Sequence, residues 1–293
     1  MNSETSTLAL FAKYRPLLFS IAYRMLGSAM DAEDLVQDVY LRWREADPAQ
    51  IENIKGYLTT MTTRMCIDFL RSARIQREEY IGPWLPEPLP EERDTYRSPA
   101  ELVQLSESLS TAFLVMLETL TPDQRAVFLL HDVFGYSYAE VSEVIGKNEA
   151  ACRQLASRAR QYLRRDEVRF EASPAHHNEL TREFLDVVTG GDVDGLVNML
   201  SEDIVSWSDG GGKARAARRP IYGRENVAGF LIGLKKFETP HTHLEIKPMN
   251  GRAAIHIYEK DTLVSVMALH FTEGGKLSGV YTQLNPDKLA HIQ

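Results

Sequence analysis

Apolar residues recur at helical spacing through the first two-thirds of the chain and at strand spacing near its end. Leu8, Phe11, Leu18, Ala22 and Met25 share one side of a predicted helix that Gly27 ends, with Pro16 either kinking it or marking its true start. Ser28 with Asp31 opens a second helix, where Leu35, Val39 and Trp43 form a stripe flanked by Val36 and Tyr40. The opposite face, Asp31, Asp34, Gln37 and Asp38, is acidic and polar. After a polar loop over 45–53, a third helix is predicted over 55–73. It turns Ile54, Leu58, Met61, Met65 and Phe69 to a core and Thr60, Thr63, Arg64, Asp68 and Arg71 away from it. Helical spacing resumes near Leu102 with Leu105, Leu109, Phe113, Met116 and Leu120, and Thr121-Pro122 starts the next helix with proline in its first turn.

The stretch Ser137 to Arg165 is the most informative. Ser137 with Glu140 is a capping box, Val141, Val144 and Ile145 give the short helix an apolar side, and Gly146 stops it. Asn148 caps a second helix that places Cys152, Leu155, Ala156, Ala159 and Leu163 on one side and Arg153, Gln154, Ser157, Arg158 and Arg164 on the other. From Lys147 to Arg165 there are six basic residues against Glu149 alone, so the second helix is locally cationic. Two helices across a tight glycine turn, the second one basic, predict a helix-turn-helix that enters the DNA major groove. An αα-hairpin with a solvated basic face is the plain alternative.

After His177 the pattern changes. Leu180, Phe184, Leu185 and Val188 predict a helix stopped by Gly190-Gly191, followed by a short helix over 194–200 and a strand from Ile204 to Asp209. A helix over 225–236 precedes four strands, Thr242–Pro248, Arg252–Tyr258, Leu263–Phe271 and Lys276–Leu284, with turns at Asn250-Gly251 and Gly274-Gly275. Helices and then an antiparallel meander predict an α+β domain with a curved sheet wrapped on a helix.

Charge narrows the function. The net charge is −8, with 20 basic and 26 acidic residues before Ala175 and 13 and 15 from there on. An acidic body with a few basic helices attracts duplex DNA poorly by itself and suits a protein carried to DNA by a larger partner. Cys66 and Cys152 are the two cysteines and form no metal-ligand or disulfide pattern. The first residues carry no signal-peptide pattern and no apolar run approaches membrane length, so a cytoplasmic protein is expected. Between Glu79 and Pro99 lie five prolines and an acidic excess, which predict a semi-extended connector; Trp84 and Leu85 in it should dock against protein.

Longer motifs add a family. DAEDLVQDVYLRW with GYLTTMTTRMCIDFLRS resembles region 2 of an extracytoplasmic-function sigma factor, and LTPDQRAVFLLHDVFGYSYAEVSEVIGKNEAACRQLASRAR resembles region 4. WLPEP (Trp84 to Pro88), DGGGK (Asp209, Gly210, Gly211, Gly212, Lys213) and NPDKL (Asn285, Pro286, Asp287, Lys288, Leu289) resemble motifs of the SigJ-type subgroup with a fused C-terminal domain. Tyr281 to Leu284 depart from the more basic pattern expected there. The order of elements after 176 resembles the SnoaL/NTF2-like cone.

The resemblance implies two all-α sigma domains followed by an α+β cone domain: region 2 over 1–77, a linker over 78–104, region 4 over 105–170 and the regulatory cone over 176–293. It assigns Asp34, Gln37 and Asp38 to core RNA polymerase. Asn53, Lys55, Thr60, Arg64, Arg71 and Arg74 are assigned to the promoter −10 element. Lys147, Asn148, Arg153, Gln154, Ser157, Arg158 and Arg160 are assigned to the −35 element. It implies a regulator acting in cis on region 2 and the linker, in place of a separate anti-sigma protein.

No catalytic, cofactor or metal residue is expected, since polymerase performs the reaction. Asp209, His243, Glu245, His256, Tyr258 and His270 are the acid/base residues of the cone, and period-two spacing is expected to scatter them over both sheet faces. DGGGK lacks the spacing of a phosphate loop and reads as a flexible turn suited to an interdomain contact; the three arginines of 214–219 are expected to meet the linker or region 2. An isomerase or cyclase fusion and a stand-alone repressor are the competing functions, and an unidentified ligand in the cone is left open.

Overall fold

The computed structural model describes residues 2–78, 80–90, 108–165 and 172–292. They pack as two units, falling within Met1–Glu78, Glu92–Leu109 and Phe113–Glu167 for the first and within Glu79–Glu91, Ser110–Ala112 and Val168–Gln293 for the second.

The first unit is helical. α1 (Asn2–Leu26) runs through Pro16 as one helix, so Pro16 does not mark its start. Ser28 Oγ accepts Asp31 N–H at 3.1 Å and starts α2 (Ala29–Glu45). Leu18, Ile21, Ala22 and Met25 bury against Leu35, Val36, Val39 and Trp43. Leu8, expected in that stripe, is 52 % exposed. α3 (Ile54–Glu78) buries Leu58, Thr59, Thr62, Thr63, Cys66, Ile67 and Leu70, leaving Ile54, Met61, Met65 and Phe69 half-buried. Thr63, placed on the outer face by periodicity, is fully buried. The cause is tertiary: α3 is covered by α1 and α2 on one side and by later helices on another.

Ser108 to Ser110 form a turn, so the helix expected from Leu102 does not run through them; 102–107 lie outside the described residues. α4 (Thr111–Leu117) is followed by α5 (Pro122–Phe128), which opens with a Thr121/Gln124 capping box and Pro122 in its first turn. One wide turn over Leu129–Val133, closed by Phe134 N–H to Leu129 O at 2.9 Å, leads to α6 (Tyr138–Ile145) and α7 (Glu149–Arg165).

The second unit has α8 (Pro174–Gly190), α9 (Val193–Met199) and α10 (Arg224–Leu234) packed on one face of a six-stranded sheet. The strands are β1 (Leu200–Asp209), β2 (Ile221–Tyr222), β3 (Thr242–Met249), β4 (Arg252–Glu259), β5 (Thr262–Phe271) and β6 (Leu277–Gln283), in the order β2-β1-β6-β5-β4-β3. Three hairpin connections make the expected meander. The parallel pairing of β1 with β6, and the short β2, were not expected from the pattern. After β1 the chain leaves through α10 and returns by three reversals, which brings β6 back in the direction of β1.

The inner face carries the core: Ile255, Met267, Leu269, Phe271 and Val280 against Phe184, Leu196, Val227 and Leu231. The outer face carries a smaller cluster of Met249, Ala254, Leu263, Val266 and Leu289, the last from α11 (Pro286–Leu289). The ladder corrects one expectation. Pairs Glu245↔His256, His243↔Tyr258, His256↔Val266, Val266↔Gln283, Asp209↔Gln283 and His270↔Gly279 put all six acid/base residues on the outer face. They share a side, but it is the side away from the cone. Among the described residues no helix is long and apolar enough to cross a membrane.

Candidate nucleic-acid interface and linker clasp

The helix-turn-helix is built by local chemistry. Ser137 Oγ accepts Glu140 N–H at 3.3 Å, while the Glu140 carboxylate accepts the Ser137 N–H and O–H, each at 2.8 Å. Those bonds hold the Glu140 carboxyl below its ordinary range. Gly146 closes α6 at φ +69°, a left-handed conformation that a Cβ disfavours. Asn148 Oδ1 accepts Ala151 N–H at 2.8 Å and starts α7. Cys152, Ala156, Ala159 and Leu163 are buried, and Arg153, Gln154, Ser157 and Arg158 are exposed along the other side.

Lys147, Arg153 and Arg160, basic residues of the motif, also have partners within the protein. Arg153 pairs with Glu149 at 2.5 Å and lies 5.3 Å from the Tyr138 ring centre. Arg160 donates to Asp132 at 2.8 Å and to the Tyr138 hydroxyl at 3.2 Å, so its role here is packing α7 on the preceding turn. Lys147 sits 3.4 Å from Asp123.

The residues assigned to the −10 element are likewise engaged within the first unit. Asn53 Oδ1 accepts Gly56 N–H at 2.9 Å and caps α3, and Thr60 bonds back to Gly56 O at 2.8 Å. Lys55 lies 5.2 Å from the Tyr136 ring centre. Arg64 donates to the Val144 and Glu143 carbonyls at 2.8 and 2.9 Å, where the end of α6 is partially negative. Arg71 pairs with Asp123 at 2.9 Å. Arg74 is on α3, its side chain outside the described residues. By contrast Asp34, Gln37 and Asp38 stand exposed on adjacent turns of α2.

The second unit contains the other functional feature. Leu85 and Leu89 of the linker are each 1 % exposed, laid on the outer sheet face. Asp209, fully buried, is the hub. Its Oδ1 accepts Tyr80 O–H at 2.6 Å and Gly211 N–H at 3.0 Å; its Oδ2 accepts Leu85 N–H at 2.9 Å and Lys288 Nζ at 2.8 Å. Lys288 also donates to Leu85 O at 2.6 Å and lies 4.2 Å from the Trp84 ring centre. Asn250 exchanges two bonds with Leu89, and His291 Nε2 reaches Pro88 O at 2.8 Å. Burial, and then donation to Asp209, pushes the Tyr80 hydroxyl well above its ordinary value.

The glycines of DGGGK form a tight turn, not the flexible one expected. Lys213 N–H and Ala214 N–H both return to Gly210 O, at 2.9 and 3.0 Å. Gly211 has φ +57°, and a Cβ there would lie 2.2 Å from Asn285 Nδ2, so a larger residue would push the Asn285 amide off the Tyr80 hydroxyl. Lys213 pairs with Asp287, and Asn285 Nδ2 donates to the Tyr80 hydroxyl at 3.0 Å. WLPEP, DGGGK and NPDKL thus meet at one point. Arg215, expected on the linker or region 2, instead lies 4.6 Å from the Phe237 ring centre. Tyr80, Asn250, His291 and Gln283, whose Nε2 donates to Asp209 Oδ2 at 3.3 Å, belong to the clasp but carried no motif; Asn250 read only as a hairpin turn.

A Sigma-70 region 2 model matches residues 10–75 and a Sigma-70, region 4 model matches residues 110–163. The chain is 41% identical over 225 residues to the ECF RNA polymerase sigma factor SigJ of Mycobacterium tuberculosis, spanning 76% of this chain and 72% of that one. Over 296 residues it is 31% identical to the probable ECF RNA polymerase sigma factor SigI of the same species, spanning 99% and 97%. The crystal structure of the M. tuberculosis sigma factor SigJ superposes with a TM-score of 0.75 at 34% identity, over 97% of this chain and 98% of that one. Carrying both sigma regions and matching such relatives from end to end, the chain belongs to the extracytoplasmic-function (ECF) sigma factors of RNA polymerase.

Proposed function

We propose that this ECF sigma factor binds core RNA polymerase through the α2 face of Asp34, Gln37 and Asp38, and that its C-terminal cone regulates it in cis. Promoter-specific initiation follows from family membership. The finer assignment is that region 2 (1–77) meets the −10 element and region 4 (105–170) the −35 element. Exposed Arg153, Gln154, Ser157 and Arg158 carry the second part, because side chains early in a second helix of this kind reach base edges while later arginines position the helix on phosphate. The chain performs no reaction of its own and works beside polymerase in the cytoplasm.

Support for the regulatory role comes from the clasp: a connector that fixes the spacing of two DNA-binding domains is itself gripped by a third domain. A catalytic cone is not favoured, since Asp209, His243, Glu245, His256, Tyr258 and His270 lie on the outer sheet face, where the linker docks. In vitro transcription with purified core polymerase tests both parts. Full-length protein is expected to give promoter-specific transcripts, and truncation after residue 175, which removes Asp209 and Lys288, to change their yield several-fold. No specific initiation from either form sinks the promoter assignment; equal yield sinks the regulatory one. Arg153→Ala is expected to relax preference at one base pair by about 1–3 kcal/mol, read as relative transcription from promoters varied singly across the −35 element.

A further inference from the structure

On the inner side of the sheet the helices leave the cone unfilled. A cavity of about 660 Å³ opens between α10, the segment 215–217 and the inner sheet face. That is the size of a small-molecule site. Phe230, Leu234, Phe237, Leu244, Ile257 and Met267 make its walls largely apolar.

Two features suggest that the space is kept for an occupant. Gly229 and Gly233, one turn apart on α10, both line it, and a Cβ at either would meet nothing within 4 Å. Glycine inside a helix costs about 1 kcal/mol relative to alanine, and no close approach requires it at these positions; what the two glycines leave is volume. Ser265, also lining the cavity, is 3 % exposed, and its Oγ has no hydrogen-bond partner among the described residues. A buried hydroxyl left unpaired costs about 1–3 kcal/mol, which a bound carbonyl or hydroxyl group recovers.

The mouth constrains charge. Arg215 and Lys236 lie against Phe237, while Glu238 and Glu259 also border the opening, with Glu259 held by the Thr239 and Thr242 hydroxyls at 2.7 and 2.9 Å. Opposite charges in one rim give no preference for a polyanion or a polycation. We propose that the cone binds an uncharged, mostly apolar small molecule of fused-ring size, with one carbonyl or hydroxyl group that pairs with Ser265. The site is separate from the linker clasp, which occupies the other sheet face, and its existence does not depend on the regulatory role proposed above.

Fluorescence titration of the full chain with Nile red, an uncharged fused-ring probe, tests the site. Saturation at one probe per chain is expected, with displacement by 2-acetylnaphthalene at least tenfold stronger than by naphthalene-2-carboxylate. Gly233→Leu, which places a side chain into the open volume without strain, is expected to weaken Nile red binding at least tenfold while leaving the circular dichroism spectrum unchanged. Ser265→Ala is expected to reduce the preference for 2-acetylnaphthalene over 2-ethylnaphthalene, and it carries the test if the leucine variant does not fold. Absence of saturable binding overturns the site. So does equal binding by folded Gly233→Leu, equal competition by the carboxylate, or an unchanged acetyl preference in Ser265→Ala.

Discussion

Asp209 shows how much one buried side chain can organise. Its carboxylate has donors from the linker, from its own loop and from α11, and its charge partner Lys288 is 9 % exposed. Asp209→Asn keeps the shape but presents an amide nitrogen to donors and removes the carboxylate charge that faces the Lys288 ammonium. The expected loss is about 3 kcal/mol, the low end for breaking a buried pair, because Lys288 keeps the Leu85 carbonyl and the Trp84 ring. Urea unfolding of the second unit measures it. Adding Lys288→Met should restore at least ~1 kcal/mol, since the buried ammonium that lost the Asp209 carboxylate is then gone; a single-variant loss under ~0.5 kcal/mol would remove Asp209 from the hub. Tyr80 gives the pH test. Its hydroxyl titrates above the unfolded value of about 10, so its contribution is complete below pH 10 and is lost as pH rises through the higher folded value. Tyrosinate absorbance at 295 nm, wild type minus Tyr80→Phe, should isolate one late-titrating phenol. A difference that titrates at pH 10 would place Tyr80 in water.

At the scale of elements, what the sequence made legible was what local chemistry decides. The Ser137/Glu140 box, the Gly146 stop, the Asn148 cap and Pro122 all satisfy helix ends with residues a few positions away, and each is where its spacing put it. Ser137→Ala should therefore cost about 1 kcal/mol, read as roughly fivefold faster hydrogen exchange of the α6 amides. The same box is expected to hold at neutral pH and to weaken as pH falls below the ordinary glutamate value, because the Glu140 pKa is depressed in the folded helix. Unchanged exchange in Ser137→Ala would mean that tertiary packing alone holds α6. Tertiary effects decided the misses. Thr63 follows the polar side of its period yet is buried because a second set of helices covers α3. The face shared by His243, His256 and His270 depends on strand pairing, which no single strand's alternation reveals. The three subgroup motifs were visible as strings, but their meeting at Asp209 was not, since over one hundred residues separate the linker from the loop that grips it.

For the whole molecule, the conflict lies between the residues assigned to DNA and the contacts they make. Arg64 is held at the end of α6, Arg71 and Lys147 share Asp123, and Thr59 bonds Tyr136 at 3.0 Å, so region 2 and the helix-turn-helix hold each other. On the DNA assignment proposed above, promoter binding requires these helices to part, and the fraction of molecules already parted scales the apparent affinity. Asp123 is the place to shift that balance, because it touches two of the cations without belonging to either assigned DNA set. Asp123→Asn removes one half of two partly exposed ion pairs, each taken at about 0.2–0.5 kcal/mol, so the parted state should gain two- to fivefold. Specific transcript at sub-saturating sigma and low salt should rise by the same factor over wild type. The ratio should fall toward one as salt rises, because screening weakens the wild-type pairs as well; comparing the ratio cancels the salt loss common to all DNA binding. A ratio of one at low salt would mean that the Asp123 pairs do not restrain the promoter-binding helices, leaving that role to Arg64 at the end of α6 and to the Thr59–Tyr136 bond.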